Sequence, residues 1–214
     1  MLQHAVALLV LVASCHGAGA PATKRASFNE RVISLVHEYP AKGFGGYAWP
    51  AQPGTAGTTR DLLLGEAVLA RAGTGNHCVG MTLEVFWRAL DACPARALDL
   101  TAAQDLKRLW YVPALGGAGP AAALPAHQLG ARVPLDDAQP GDFMQAWNTD
   151  ETFGHSMVFL GWKRDDTARI TAVRYWSSQP WTDGIGESES PIGDGGFDLS
   201  RIYIARAACP PPGL

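Results

Sequence analysis

The chain has 214 residues, enough for one domain with a substantial core and too few for two full ones. Lys and Arg number 17 against 20 Asp and Glu, a formal net charge of −3, so no basic field is present to hold a phosphate backbone and nucleic-acid binding is excluded. Apolar residues at 47%, with seven Trp to bury, and the lack of a fixed period exclude collagen, coiled coil and disorder, while 24 Gly and 15 Pro beside only 17% charged residues suit a loop-rich exported protein.

Ahead of the first charged residue, Lys24, the run Ala5 to Ala13 (AVALLVLVA) is uninterrupted apolar sequence. It is too short to cross a bilayer as a helix and matches the apolar region of a signal peptide. It ends in Val12-Ala13-Ser14-Cys15, which resembles a bacterial lipobox, in which the Cys is lipidated and becomes the N-terminus. Cleavage after Ala20 is the competing reading. Residues 1–20 are therefore expected to be a signal peptide, and 21–40 an N-terminal helical segment.

Ser27 to Glu38 has apolar residues at helical spacing behind a Ser-x-x-Glu capping box, Ser27 to Glu30, which predicts an amphipathic helix ending before Pro40. Residues 40–58 then read as a loop presenting Tyr47 and Trp49. Thr59 to Ala72 is expected to form a second helix closed by Gly73. Cys78 to Leu90 carries Val79, Leu83, Phe86, Trp87 and Leu90 along one side, a strong helical pattern that puts Cys78 in the first turn, with Asn76 or Thr74 as cap. Leu98 to Trp110 reads as one more helix, and 111–128 as a connection bordering a cleft. From Asp142 onward the period becomes that of strands, at 142–147, 156–162, 169–176 and 201–205, with a turn at Lys163 to Asp166. Helices followed by an antiparallel sheet make an α+β layout.

The cysteines are Cys15, Cys78, Cys93 and Cys209. Cys93, after a helix, and Cys209, in the C-terminal tail, are expected to pair and tie the tail down. Cys78 is then the free thiol; pairing with Cys93 is excluded because the two stand at opposite ends of one helix of about 22 Å.

A thiol at a helix N-terminus has its pKa lowered by the orphan amides and the dipole, which makes Cys78 a candidate nucleophile. It needs a base on a rigid element. His155 follows Gly154 at the mouth of the apolar strand that begins at Ser156, an odd place for a His unless it is used. A third group should orient the imidazole. A hairpin turning near Asp166 puts Ser177 nearest to register with His155, while Gln179 has the longer reach and a carbonyl to accept from the ring, and Gln179 is favoured over Ser177. His77 beside Cys78 lacks metal-ligand spacing, and Asp183 to Gly186 and Asp194 to Gly196 lack a calcium loop's alternating ligands and read as turns. No metal or cofactor is expected.

Cys at a helix start, then Gln139-Pro140-Gly141-Asp142-Phe143, then Gly154-His155-Ser156 before an apolar strand ending in Gly161-Trp162, resembles the NlpC/P60 and CHAP branch of the papain-like cysteine peptidases and amidases, from about Phe44 to Ala205. Asn76-His77-Cys78-Val79-Gly80 stands where that family has Asp-Cys-Ser-Gly. The resemblance implies a papain-like hydrolase domain over 41–214, with helices packed on a C-terminal antiparallel sheet. It makes Tyr47 the loop tyrosine that helps line the oxyanion site, and it implies cell-wall peptides as substrate. The expected protein is a monomeric exported cysteine hydrolase of the cell envelope, attached to the membrane if Cys15 is lipidated. The other class that fits is a non-catalytic envelope module binding peptide or glycan through Tyr47, Trp49, Trp147, Trp176 and Trp181.

Overall fold

The computed structural model describes residues 26–40, 42–94, 98–150 and 152–210. The expected signal peptide, Cys15 included, lies outside the described residues. Among the described residues no helix is long and apolar enough to cross a membrane.

Helix α1, Phe28–Glu38, starts on the predicted capping box: the Ser27 hydroxyl accepts from the Glu30 N–H, and the Glu30 carboxylate accepts from the Ser27 N–H. Its buried face, Phe28, Val32 and Val36, packs on helix α2, Cys78–Asp91, with Phe28 stacked on Phe86. Nearly all of α2 is buried, so it is the central helix of the fold. Helix α3, Leu100–Trp110, begins at an Asp99 cap two residues later than the apolar pattern starts. Its Trp110 closes an aromatic cluster with Phe86 and Phe143, ring centroids 4.9–5.9 Å apart. The connection that follows contains a short helix α4, Pro120–Ala126.

The expected helix at 59–72 is instead a hairpin of β2, Leu62–Leu64, and β3, Ala67–Ala70. Gly65, at φ 60°, turns the chain, and the Asp61 carboxylate closes the base by accepting from the Ala72 N–H. Trp87 of α2 donates to the Leu63 carbonyl and Lys107 of α3 to that of Leu69. These tertiary bonds to extended backbone outweigh the helix propensity of a Leu- and Ala-rich stretch.

Among the described residues the main sheet has seven strands, all antiparallel, in the order β1-β8-β7-β6-β5-β9-β4. They are β1 Lys42–Gly45, β4 Gly130–Val133, β5 Phe143–Asn148, β6 Gly154–Arg164, β7 Ile170–Gln179, β8 Gly184–Pro191 and β9 Phe197–Ala207. The turn reading of Asp183 to Gly186 is corrected: Asp183 ends a single 3-10 turn in a left-handed conformation, and Gly184 already pairs with Gln179 in β8. Successive residues alternate between faces. Phe143, Val158, Trp176, Ile185 and Ala205 pack toward the helices, whereas Met144, Met157, Phe159, Tyr175 and Ile204 form a second core on the other face. Among the described residues the architecture is α+β, four helices with a large antiparallel sheet.

The Pro-Gly-Asp motif anchors this frame. Asp142 is buried and accepts a two-pronged bond from Arg206 of β9, a bond from the Asn29 amide of α1, and the Gln139 N–H. A disulfide joins Cys93 to Cys209, and Cys78 is free and buried, as the cysteine arithmetic expects.

Candidate active site

Two loops seat the first turn of α2. His77, not Asn76 or Thr74, is the cap: its ring Nδ1 accepts from the Gly80 N–H at 3.3 Å. Asn76 spends its amide on the Phe44 carbonyl, and the Thr74 hydroxyl accepts from Gln52. Burial lowers the His77 pKa to about 4, which keeps the ring neutral and able to accept. The loop at Ala56-Gly57 presses on this turn so closely that a Cβ on Gly80 would come within 2.2 Å of the Gly57 carbonyl, and one on Gly57 within 2.0 Å of the His77 ring. The loop carrying Tyr47 is stitched to Asn76 on both sides, Ala48 N–H to the Asn76 carbonyl at 2.9 Å and Asn76 N–H to the Gly46 carbonyl at 3.0 Å.

This helix end occupies a gap in the sheet. The β6–β7 ladder stops at Val158–Trp176, although β6 begins at Gly154 and β7 runs on to Gln179. The backbone left unpaired there is satisfied from elsewhere, as buried polar groups must be. The Ser156 carbonyl accepts from the Ser177 hydroxyl at 2.7 Å, and Ser178 Oγ donates to the Asn76 carbonyl at 3.3 Å. The Ser156 N–H points to Cys78 Sγ. The thiol therefore lies against the residue that follows His155.

Burial pushes the Cys78 thiol up, and the N–H groups of Ser156, Val79 and Cys78 itself, which face the sulfur, pull in the opposite direction without prevailing. The expectation of a depressed thiol is corrected: a helix N-terminus lowers a thiol pKa where water still solvates the site, and here desolvation is the larger effect. His155 is also buried, and its pKa falls to about 4 for the same reason. The resting pair is a neutral thiol and a neutral imidazole.

His155 Nε2 lies 3.4 Å from Gln179 Oε1, and the Gln179 amide donates in turn to the Gly186 carbonyl at 3.2 Å. His155 Nδ1 is buried without a hydrogen-bond partner among the described residues, so neither ring nitrogen is bonded to Cys78. The pleat explains the offset: Ser156 faces the helices with Gln145, to which its hydroxyl donates, and His155 shares the opposite face with Met157 and Phe159. Counting on from the Val158–Trp176 pair, Gln179 rather than Ser177 falls opposite His155. The turn closes between Asp165 and Arg169, later than the sequence suggests, because the Asp165 carboxylate collects the N–H groups of Thr167 and Arg169.

Cys78 opens into a cleft of about 400 Å³ shared with Tyr47, Trp49, Tyr111, Gln145, Trp147 and Phe153. The Tyr47 pKa rises to about 12, through burial and then the nearness of Cys78. Its hydroxyl makes no hydrogen bond to a described residue and remains a donor for a bound group. Of the aromatics expected on a binding face, Trp176 is buried against Tyr39 beneath the helices, and Trp181 lies beside His155, ring centroids 6.0 Å apart, outside the cleft lining. Gln145 and Tyr111 were not anticipated; Gln145 sits in an apolar strand as a buried polar residue, which was the available signal. Among the described residues no group of three or more His, Cys, Asp or Glu could hold a metal ion.

No family model, no curated protein and no solved structure matches this chain.

Proposed function

We propose that this protein is a cysteine-dependent amide hydrolase of the papain-like NlpC/P60 type, with Cys78 as nucleophile and His155 as base. The observation that carries the reading is the gap between β6 and β7. There the free thiol, held by three N–H groups, abuts Ser156, the residue after a histidine whose Nε2 faces Gln179 and whose buried Nδ1 has no partner among the described residues. An unpartnered buried nitrogen costs free energy unless something uses it.

The chemistry follows from the neutral resting pair. As Cys78 Sγ attacks the carbonyl carbon, its proton passes to His155 Nδ1, and the C=O electron pair moves to oxygen. The Cys78 N–H and the Tyr47 hydroxyl donate to that oxyanion. Its collapse breaks the C–N bond, His155 returns the proton to the leaving nitrogen, and an acyl thioester remains. Water, deprotonated by the same imidazole, resolves the thioester to acid and restores the thiol. Gln179 holds the ring with Nε2 protonated, so that Nδ1 is the nitrogen that takes up and returns the proton.

The proposal extends to cell-wall peptides as substrate and to the cell envelope as location, with attachment through Cys15 if it is lipidated; the support for these is the motif resemblance and the apolar leader. The binding-module reading is favoured by the aromatic cleft alone. The test is intact-mass analysis and peptide mapping after reaction with a vinyl-sulfone peptide. Single labelling at Cys78, lost in His155→Ala, is expected. A folded sample that takes no label at Cys78 overturns the hydrolase in favour of the binder.

A further inference from the structure

The lining of the cleft beside Cys78 selects by charge. Among the described residues it contains no Asp, Glu, Lys, Arg or His. Trp49, Tyr111, Trp147 and Phe153 supply rings, and Leu115, 80% exposed at the mouth, an aliphatic side chain. Trp49, Leu115 and Phe153 are among the large apolar residues this protein leaves in solvent, and three of them on one rim mark a surface kept for an apolar group.

The charges nearby are directed elsewhere. Lys107 lies over the Tyr111 ring and donates to the Leu69 carbonyl. Arg201 lies over the Trp147 ring. The Asp150 carboxylate accepts from the Thr152 N–H and hydroxyl and from Asn148. A carboxylate or ammonium entering the cleft would lose hydration and meet no charged side chain among the described lining residues. Gln145 supplies a polar handle: its Oε1 is held by the Ser156 hydroxyl, while its Nε2 bonds only to the Ala146 carbonyl at 3.3 Å. That leaves a second amide N–H to donate.

Resting on the hydrolase reading above, we infer that the substrate group filling this cleft, beside the scissile amide, is large, apolar and uncharged, and that the Gln145 amide receives its carbonyl. Peptides with an ionised side chain at that position are rejected.

The test is a matched set of vinyl-sulfone peptides carrying Phe, Leu, Glu or Lys next to the warhead, with the second-order rate of Cys78 labelling followed by mass. The Phe and Leu probes should react about 100-fold faster than the Glu and Lys probes. In Leu115→Lys, changed at an exposed side chain, the preference for Phe over Glu should narrow about 10-fold. Rates within threefold across the set overturn the inference and leave the hydrolase standing, as does a Phe-to-Glu ratio unmoved by Leu115→Lys. Labelling by none of the probes overturns the hydrolase reading and this inference with it.

Discussion

The Gln179 side chain faces His155 in one sense only: its NH₂ donates to the Gly186 carbonyl, so its oxygen meets the imidazole Nε2, 3.4 Å away. A carbonyl oxygen there selects the tautomer protonated on Nε2 and leaves the Nδ1 lone pair as base. Gln179→Ala should lower kcat about 100-fold with KM little changed, whereas Ser177→Ala, which frees only the Ser156 carbonyl, should stay within about tenfold. Gln179→Glu puts a negative charge beside a ring now at about 4. It favours the imidazolium, so the acid limb of the kcat/KM profile should move to higher pH. An unmoved limb would remove Gln179 from the site.

Cys78→Ala should abolish turnover at a stability cost of about 1 kcal/mol, because the N–H groups around the sulfur lose a weak acceptor. Since burial holds the thiol above its usual range, iodoacetamide labelling of the free protein should be slow at neutral pH and accelerate only in alkali. Fast labelling at pH 6 would contradict the neutral resting pair.

Gly80→Ala tests the seating of α2. Its Cβ would meet the Gly57 and Ala56 carbonyl oxygens at 2.2 and 2.3 Å, both backbone, so the loop must yield. A loss of about 1–3 kcal/mol in urea denaturation is expected, together with loss of Cys78 labelling by the Phe probe. A variant as stable and as reactive as the parent would show that the contact does not position the nucleophile.

Stability should fall in weak acid. His77 and His155 are both held near 4 in the folded state against an ordinary 6.5. Between those values the unfolded chain binds protons that the folded one does not. Their contribution is full above about pH 6.5 and is lost as pH falls toward 4, up to about 3 kcal/mol for each ring. Urea midpoints across pH 4–8 measure this. His155→Gln, which cannot protonate there, should flatten the slope, and a slope unchanged in that variant would assign the effect elsewhere.

The Cys93–Cys209 bridge spans 116 residues, and the Arg31 guanidinium donates to both sulfurs. Reduction, or Cys93→Ser with Cys209→Ser, should cost about 2–5 kcal/mol through the freed unfolded chain. Neither residue lines the cleft, so labelling of Cys78 by the Phe probe should persist below the new melting point. Its disappearance while the fold survives would mean that the staple holds the site as well as the tail.

The sequence by itself determined what rests on local pattern and on elimination. The Ser27–Glu30 box starts α1, the apolar period of 78–90 makes the central helix, and Cys78 is the thiol left over once Cys93 and Cys209 pair. Pattern also picked out His155 at the head of β6. Only the tertiary structure decided the hairpin at 62–70, because the bonds that hold it come from Trp87 and Lys107 on other elements. It decided β8, whose first residues, within Asp183 to Gly186, look like turn until β7 pairs with them. It also decided that Gln179 rather than Ser177 stands opposite His155, which depends on where a distant turn closes. Above all it decided the charge state of the site. Helix dipole and cap are local and favour a thiolate, but desolvation is set by everything packed around Cys78, and that includes the loop at Ala56-Gly57, Tyr111 and Ser156 of β6, brought together only by the fold.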